Sequence, residues 1–484
     1  MTLDEANAIR VYQRRCSGIR ASFGLRFGFR FLHPKHDLLE KERLHGVPTL
    51  RLKALCTRAI TRGVQPEYGD SEIRVVKTGT LKNGYLDWEE VQTVSEDFYT
   101  ANQFRAALRK DDVLIASTGI GSLGKVDIYD DDKPALADGH ISIVRVASKQ
   151  CSPRLLTQLL RSRVAQWQIE RQLSGATNQI DIYPDQLAAL RLPVIDPERQ
   201  RKIVPRLVKI ESDITAARAK VKPPADIINE ILCKAFRYPV AEHRERQRAR
   251  QFTRDFSSFA DSFSLRGSVK FHHPDYELTD AFFAGTPHLR VKAYLAVPIR
   301  LGASLTQEVM DDEGEAYYVH PSATRHEERI NTDDCHRITQ THYDANKRRA
   351  GLRIGDVLIN RSGEGTIGKV ALFDLDEPCL FSDFTMRLRF ADRMNPRFAW
   401  FYFRSMMFQS QVEREKRGMG NMMNIFPSQV ETLLVPVCSR RRQDVLADQI
   451  TAALDARHRE LQTIESRREE ITELIESALS TPTK

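Results

Sequence analysis

The feature that most constrains this chain is that it is written twice. Leu25-Arg26 followed by Phe31-Leu32-His33-Pro34 returns as Leu265-Arg266 followed by Phe271-His272-His273-Pro274. Leu50-Arg51-Leu52-Lys53 returns as Leu289-Arg290-Val291-Lys292. Asp112-Val113-Leu114-Ile115, with Gly119, Gly121, Gly124, Lys125 and Val126 behind it, returns as Asp356-Val357-Leu358-Ile359 with Gly363, Gly365, Gly368, Lys369 and Val370. Leu192-Pro193 and Arg199-Gln200 return as Val435-Pro436 and Arg442-Gln443. The order is kept at a period of about 240 residues, which means two whole domains rather than solenoid repeats. A length of 484 residues accommodates that arrangement.

Each copy has the same internal plan. A mixed segment with short β-rich runs, such as Ile73-Arg74-Val75-Val76, comes first and a long helix follows. The expected boundaries are a first domain over 1–196 (with 1–24 an N-terminal extension), a helix over 197–236 and a basic linker over 237–262. A second domain over 263–438 and a second helix over 439–484 complete the chain. The first helix opens on Asp196 as N-cap, Pro197 at the first helical position and Glu198 at the positive dipole end. Its seam of Ile203, Leu207, Ile210 and Ile214 steps by four and three, as a heptad does. Pro223-Pro224 should kink or split it. The second seam reads Ile450, Leu454, Arg457, Leu461, Ile464, Arg468 and Ile471, and its two arginines could fix pairing register. A single apolar seam can simply pack on its own domain. Two helices of about 40 residues, each about 60 Å long, exceed what such a domain covers, so they are expected to pair antiparallel and hold the globular copies apart. The fold class is therefore α+β: two mixed α/β domains joined and separated by two long antiparallel coiled-coil helices. In the linker, Arg244, Arg246, Arg248 and Arg250 read first as a solvated stretch and second as phosphate contacts.

Composition narrows the function classes. The net charge of +8 and a pI near 9.0 permit a polyanionic partner without requiring one. Seven dispersed cysteines contain no Cys-x-x-Cys pair, which suits reduced thiols in the cytoplasm. The start, Met1-Thr2-Leu3-Asp4-Glu5, does not read as a signal peptide. No run approaches the ~20 apolar residues of a membrane span. The His272-His273 pair beside Pro274 reads as ordinary histidine rather than as a metal site.

Gly119-x-Gly121-x-x-Gly124 and Gly363-x-Gly365-x-x-Gly368 fit a dinucleotide-binding pattern and nearly fit a P-loop. Both readings need a helix to begin at the glycines, because its N-terminus holds the phosphate. Val126-Asp127-Ile128-Tyr129 and Val370-Ala371-Leu372-Phe373 read as strands instead, and Val126 and Val370 replace the magnesium-binding hydroxyl. The glycines are expected to shape a tight β-turn. No Asn-Pro-Pro-Tyr-like, His-Glu-x-x-His or Gly-x-Ser-x-Gly constellation is present, so no catalytic site and no metal site is assigned.

The order of domain, helix, domain, helix resembles the specificity subunit of type I restriction–modification systems. Asp111-Asp112-Val113-Leu114-Ile115 and Gly355-Asp356-Val357-Leu358-Ile359, each ahead of its glycines, look like the motif of that family's target-recognition domains. Leu192-Pro193 with Glu198-Arg199-Gln200 looks like its domain–helix junction. The second copy departs from it, with Arg440-Arg441-Arg442-Gln443 placing three arginines against the helix dipole; divergence, or a contact with phosphate or an acidic partner, would account for them. The resemblance implies a non-catalytic subunit that reads a bipartite, asymmetric site in double-stranded DNA, one half per domain. It implies two DNA methyltransferase subunits as partners, with a restriction/translocase subunit where the complex also cleaves. S-adenosylmethionine is then a cofactor of the partners and not of this chain. Candidate DNA-binding residues are Lys77, Lys82, Asn83 and Lys125 in the first copy and Asn360, Arg361 and Lys369 in the second, against a reading of each as solvated surface. The alternatives are a non-DNA coiled-coil scaffold or adaptor, and a nucleotide-binding enzyme built on the glycine motifs.

Overall fold

A computed structural model describes residues 33–44, 47–89, 91–147, 150–173, 180–255, 268–324, 330, 332–363, 365–418 and 423–480. The N-terminal extension over 1–24 lies outside them. The chain forms two compact units: unit 1 takes Met1–Ala219 with Leu461–Lys484, and unit 2 takes Lys220–Glu460.

In unit 1 a four-stranded antiparallel sheet has the spatial order Thr61–Arg62, Ile141–Val144, Asp112–Ala116, Val126–Tyr129. Asp112–Ala116 is buried along its whole length, which is why it reads as a continuous apolar run. Its alternate side chains divide between two cores. Val113 and Ile115 pack with Leu156 and Leu160 on one face, and Leu114 and Ala116 with Leu81 and Tyr129 on the other. Unit 2 repeats the sheet as Arg300–Leu301, Thr385–Leu388, Val357–Asn360, Val370–Leu372. There Val357 and Ile359 face one core and Leu358 the other. Further pairs match as well: parallel Arg74–Val76 with Ala135–Ala137 corresponds to Ala316–Val319 with Cys379–Phe381. Antiparallel Thr49–Arg51 with Arg191–Pro193 corresponds to His288–Arg290 with Leu434–Pro436.

The repeated motif residues hold this scaffold. Asp112 is 1% exposed and takes Arg145 Nε at 2.6 Å and Nη2 at 2.5 Å, while the Arg109 amide donates to it at 2.8 Å. Asp356, also 1% exposed, takes Arg389 Nε at 2.7 Å, Nη2 at 2.6 Å and the Arg353 amide at 2.8 Å. Gln200 accepts from the Ser152 amide and donates to the Gln150 and Ile195 carbonyls. Gln443 accepts from the Asn395 amide and donates to the Arg393 and Cys438 carbonyls. These two glutamines pin the start of each long helix to its own domain, which explains the repeated Arg-Gln.

The first helix begins where expected, with Asp196 Oδ1 accepting from the Arg199 amide at 2.9 Å. It divides at the prolines into Pro197–Lys220 and Pro224–Phe236. Pro205 lies inside the first part, a position the sequence reading did not weigh. Ile203, Leu207, Ile210 and Ile214 are all buried. The second helix, Arg440–Ser480, is continuous, with residues to Glu460 in unit 2 and the rest in unit 1. Ile450 is buried in the unit 2 core beside Leu232 and Phe398, with Leu454 packed against it. Ile464 and Ile471 are buried in unit 1, and Leu461 is half-buried. Of the seam arginines, Arg457 Nε donates to the Lys222 carbonyl within unit 2 at 3.0 Å, and Arg468 lies beside Gly84 in unit 1.

Two expectations change. The stretch read as a solvated basic linker contains the helix Val240–Gln247, and three of its arginines meet acids, Arg244 with Asp226, Arg246 with Glu242 and Arg254 with Glu277, while Arg248 and Arg250 are exposed. The second part of that stretch, 256–262, lies outside the described residues. The arginines opening the second helix are also largely accounted for. Arg440 meets Asp444 at 3.0 Å, and Arg442 Nη2 donates at 2.5 Å to the carbonyl of Ala235, capping the end of Pro224–Phe236.

Candidate nucleic-acid interface

The glycine motifs lie where a reading surface could form. Each fills the connection between two antiparallel strands, Asp112–Ala116 to Val126–Tyr129 and Val357–Asn360 to Val370–Leu372. Strands follow the glycines, as the sequence predicts, and the helix that a phosphate-binding loop needs is not there. All six glycines have positive φ, from +75° at Gly365 to +98° at Gly119, where an L side chain is strained. Gly124 and Gly368 are further confined, since a Cβ would come within 2.8 Å of Gln166 Oε1 and of Val412 Cγ1. Gln166 Nε2 donates to the Gly124 carbonyl at 2.9 Å, and Gln409 Nε2 to that of Gly368 at 2.8 Å. Sequence reasoning missed both glutamines.

The rims of the two turns differ. In unit 1, Asp181 accepts from Thr118 Oγ1 at 2.6 Å and from Arg62 Nη2 at 3.0 Å. Arg62 also lies over the Tyr183 ring at 5.0 Å. Burial alone would raise the Asp181 carboxyl, but Thr118 and Arg62 outweigh it and hold it below its ordinary value. In unit 2 the corresponding backbone bridge joins Ser362 to Asn424, which also bridges Arg417. Arg361 Nε donates to the Asp383 carbonyl at 2.8 Å, and Phe384 and Phe426 are exposed. Both rims carry a guanidinium and an exposed aromatic ring, Tyr183 or Phe426, and they differ in the bridged residue, Asp181 clamped by Arg62 and Thr118 in one and Asn424 in the other.

The candidate residues fare unequally. Lys77 is half-buried, its ammonium bonded to Gln92 and 4.3 Å from the Tyr68 ring centre. Lys82 pairs with Asp87 at 3.3 Å. Asn83 has left-handed backbone, φ 56°. Its amide and that of Gly84 donate to the buried Asp127, and its side-chain oxygen accepts from the Val126 amide at 3.3 Å. Asn83 thus shapes a turn. Asp127 itself pairs with Arg161 at 2.5 Å, and burial raises its carboxyl despite that partner. Asn360 is fully buried, its oxygen accepting from Thr324 at 2.9 Å and Thr385 at 3.3 Å, so it does not face outward. Arg361, Lys125 and Lys369 are half-buried and stand at the glycine turns.

Among the described residues no group of three His, Cys, Asp or Glu side chains could hold a metal ion. His272 is buried against Phe271, and His273 meets Asp275 at 2.6 Å. The buried thiols of Cys233 and Cys379 are pushed up to about 12 by burial, which makes them poor nucleophiles. No described helix is long and apolar enough to cross a membrane.

No family model and no curated protein matches the chain. Among solved structures it is similar to the S subunit of a type I restriction–modification system from M. genitalium, at 11% identity and TM-score 0.49, covering 90% of this chain and 98% of that one. A chain from a structure of type I R-M complex assembly and conformational transition matches at 14% identity and TM-score 0.44, covering 90% and 97%. The HsdS subunit from Thermoanaerobacter tengcongensis matches at 14% identity and TM-score 0.30, covering 90% and 97%.

Proposed function

We propose that this chain is the specificity subunit of a type I restriction–modification complex, reading a bipartite, asymmetric site in double-stranded DNA. Catalysis is left to the partners: two DNA methyltransferase subunits supply S-adenosylmethionine chemistry, and a restriction/translocase subunit joins where the complex cleaves. The observation that carries the reading is the pairing of sameness and difference between the copies. Sheet order, buried Asp–Arg pair, glycine turn and helix-pinning glutamine recur, while the bridged rim residue changes from Asp181, held by Arg62, to Asn424, bridged to Arg417. A rigid scaffold with an exchanged rim is what two readers of unlike half-sites require.

In this reading the long helices pair antiparallel as a coiled coil that sets the spacing between half-sites and docks the methyltransferases. Supporting it, within unit 1 Arg467 meets Asp213 at 3.6 Å, and within unit 2 Lys220 meets Glu460 at 3.3 Å. Positions that rise along one helix fall along the other. The test is methylome sequencing of a host with and without the gene. Loss of one bipartite methylation motif is expected, and an unchanged methylome in a host whose methyltransferase partner is active refutes the proposal. Exchanging the rim residues of one unit should alter one half-site only.

A further inference from the structure

The internal duplication provides two versions of one domain to compare. Most repeated polar residues have buried work to do, as Asp112, Gln200 and their counterparts show. One repeated motif does not. In Leu50-Arg51-Leu52-Lys53 and Leu289-Arg290-Val291-Lys292 only the central apolar residue is buried, Leu52 and Val291 each at 0% exposure. The flanking cations are exposed in both units. Leu52 opens the short helix Leu52–Leu55 and Val291 the 3-10 turn Val291–Tyr294, so in both units one cation precedes the turn and the other lies within it, each exposed beside a buried apolar residue. Among the described residues none of these four side chains has a hydrogen-bond or ion-pair partner. Their neighbours differ: Arg191, on the paired strand, meets Glu40 at 3.0 Å.

We infer that Arg51 with Lys53, and Arg290 with Lys292, are phosphate clamps for a duplex polynucleotide, one in each unit. The inference rests on the DNA-recognition reading above and deepens it. Two like charges two residues apart at exposed positions repel each other, and among the described residues no acid pairs with any of the four. A phosphate backbone does. The backbone is the same whatever bases it carries, so readers of different sequences can share one clamp while their rims diverge. That is the pattern here, with Arg-x-Lys kept in both copies while Asp181 gives way to Asn424. The net charge of +8 agrees with an anionic partner. An acidic protein surface is the competing occupant.

The test uses the full chain, alone and with its methyltransferase partner, and a fluorescent duplex of random sequence titrated over a salt series. The variants are R51A/K53A, R290A/K292A and the fourfold combination. Removing one clamp should flatten the slope of log affinity against log salt by about 2, and removing both by about 4, since each phosphate contact contributes about 0.9. The loss should be alike for all sequences, with thermal melting unchanged. The swap R51K/K53R should retain the full slope. A wild-type slope in the alanine variants overturns the inference and leaves DNA recognition standing. If those variants keep the slope but lose the methyltransferase, the acidic protein surface is the occupant. If the wild-type chain binds no duplex at low salt, alone or with its partner, the recognition reading falls and the clamps with it.

Discussion

Replacing Asp356 with leucine removes the counter-charge of Arg389 and the acceptor of the Arg353 amide in one step. The carboxylate is 1% exposed, and both its oxygens are bonded by the guanidinium, at 2.7 and 2.6 Å. Removing one member of a buried pair costs about 3–5 kcal/mol, mostly because the other charge stays behind in low dielectric. Arg389 keeps 21% of its side chain exposed, so the expected cost is at the lower end, about 3 kcal/mol. The double change Asp356→Leu, Arg389→Leu strands no charge. It should cost about 1 kcal/mol, chiefly from the orphaned Arg353 amide. The assay is urea unfolding followed by Trp400, which lies in unit 2, in a background with Trp88 and Trp167 replaced by phenylalanine. A midpoint shift worth less than about 1 kcal/mol for the single change, or a double variant no more stable than the single, would show that the pair is not what braces the sheet.

Three further outcomes are expected. Gly368→Ala should cost about 1–2 kcal/mol from the positive φ alone, plus the contact with Val412, and calorimetry should show a smaller loss for Gly365→Ala, whose Cβ meets nothing. Burial lowers the His243 imidazole below its ordinary 6.5. The fold therefore favours the neutral ring: its contribution is complete above 6.5 and is lost as pH falls from there through the folded value. His243→Gln should flatten the acid side of a stability–pH profile, and an unaltered profile would exclude His243 as its cause. Ile214→Asp places an unpaired charge at a seam position 6% exposed, so under the proposed function co-purification with a methyltransferase partner should fail; full assembly with unaltered half-site spacing would refute the spacing role proposed for the helices.

Much of the fold was legible because the repeated motifs are the residues with buried duties. Asp112 and Asp356 recur for their arginines, and the glycines recur for their φ. The helix start at Asp196 and the break at Pro223 follow from local chemistry alone. What was missed concerns partners distant in sequence. Nothing beside Asn360 reveals that Thr324 and Thr385 roof it. Nothing in the arginine-rich stretch after Phe236 reveals the acids on Asp226 and Glu277. A signal for the glutamines that bond the Gly124 and Gly368 carbonyls was available, since Gln166-x-Gln168 recurs as Gln409-x-Gln411, but glutamine in a helix carries no motif on its own. The rim residues stay hardest to read, because they are where the copies diverge.

The division of the last helix between units bears on how the chain is made. Unit 1 consists of Met1–Ala219 and Leu461–Lys484, so it is completed only after all of unit 2 has been synthesised. Until then Trp167, Leu44 and Val164 lack Leu479, which packs against them. A ribosome moving at about 5–20 residues per second leaves that surface uncovered for tens of seconds. The first half of the protein is thus the last to finish folding, and truncating its final turns should send an N-terminal unit, not a C-terminal one, to chaperones and proteases.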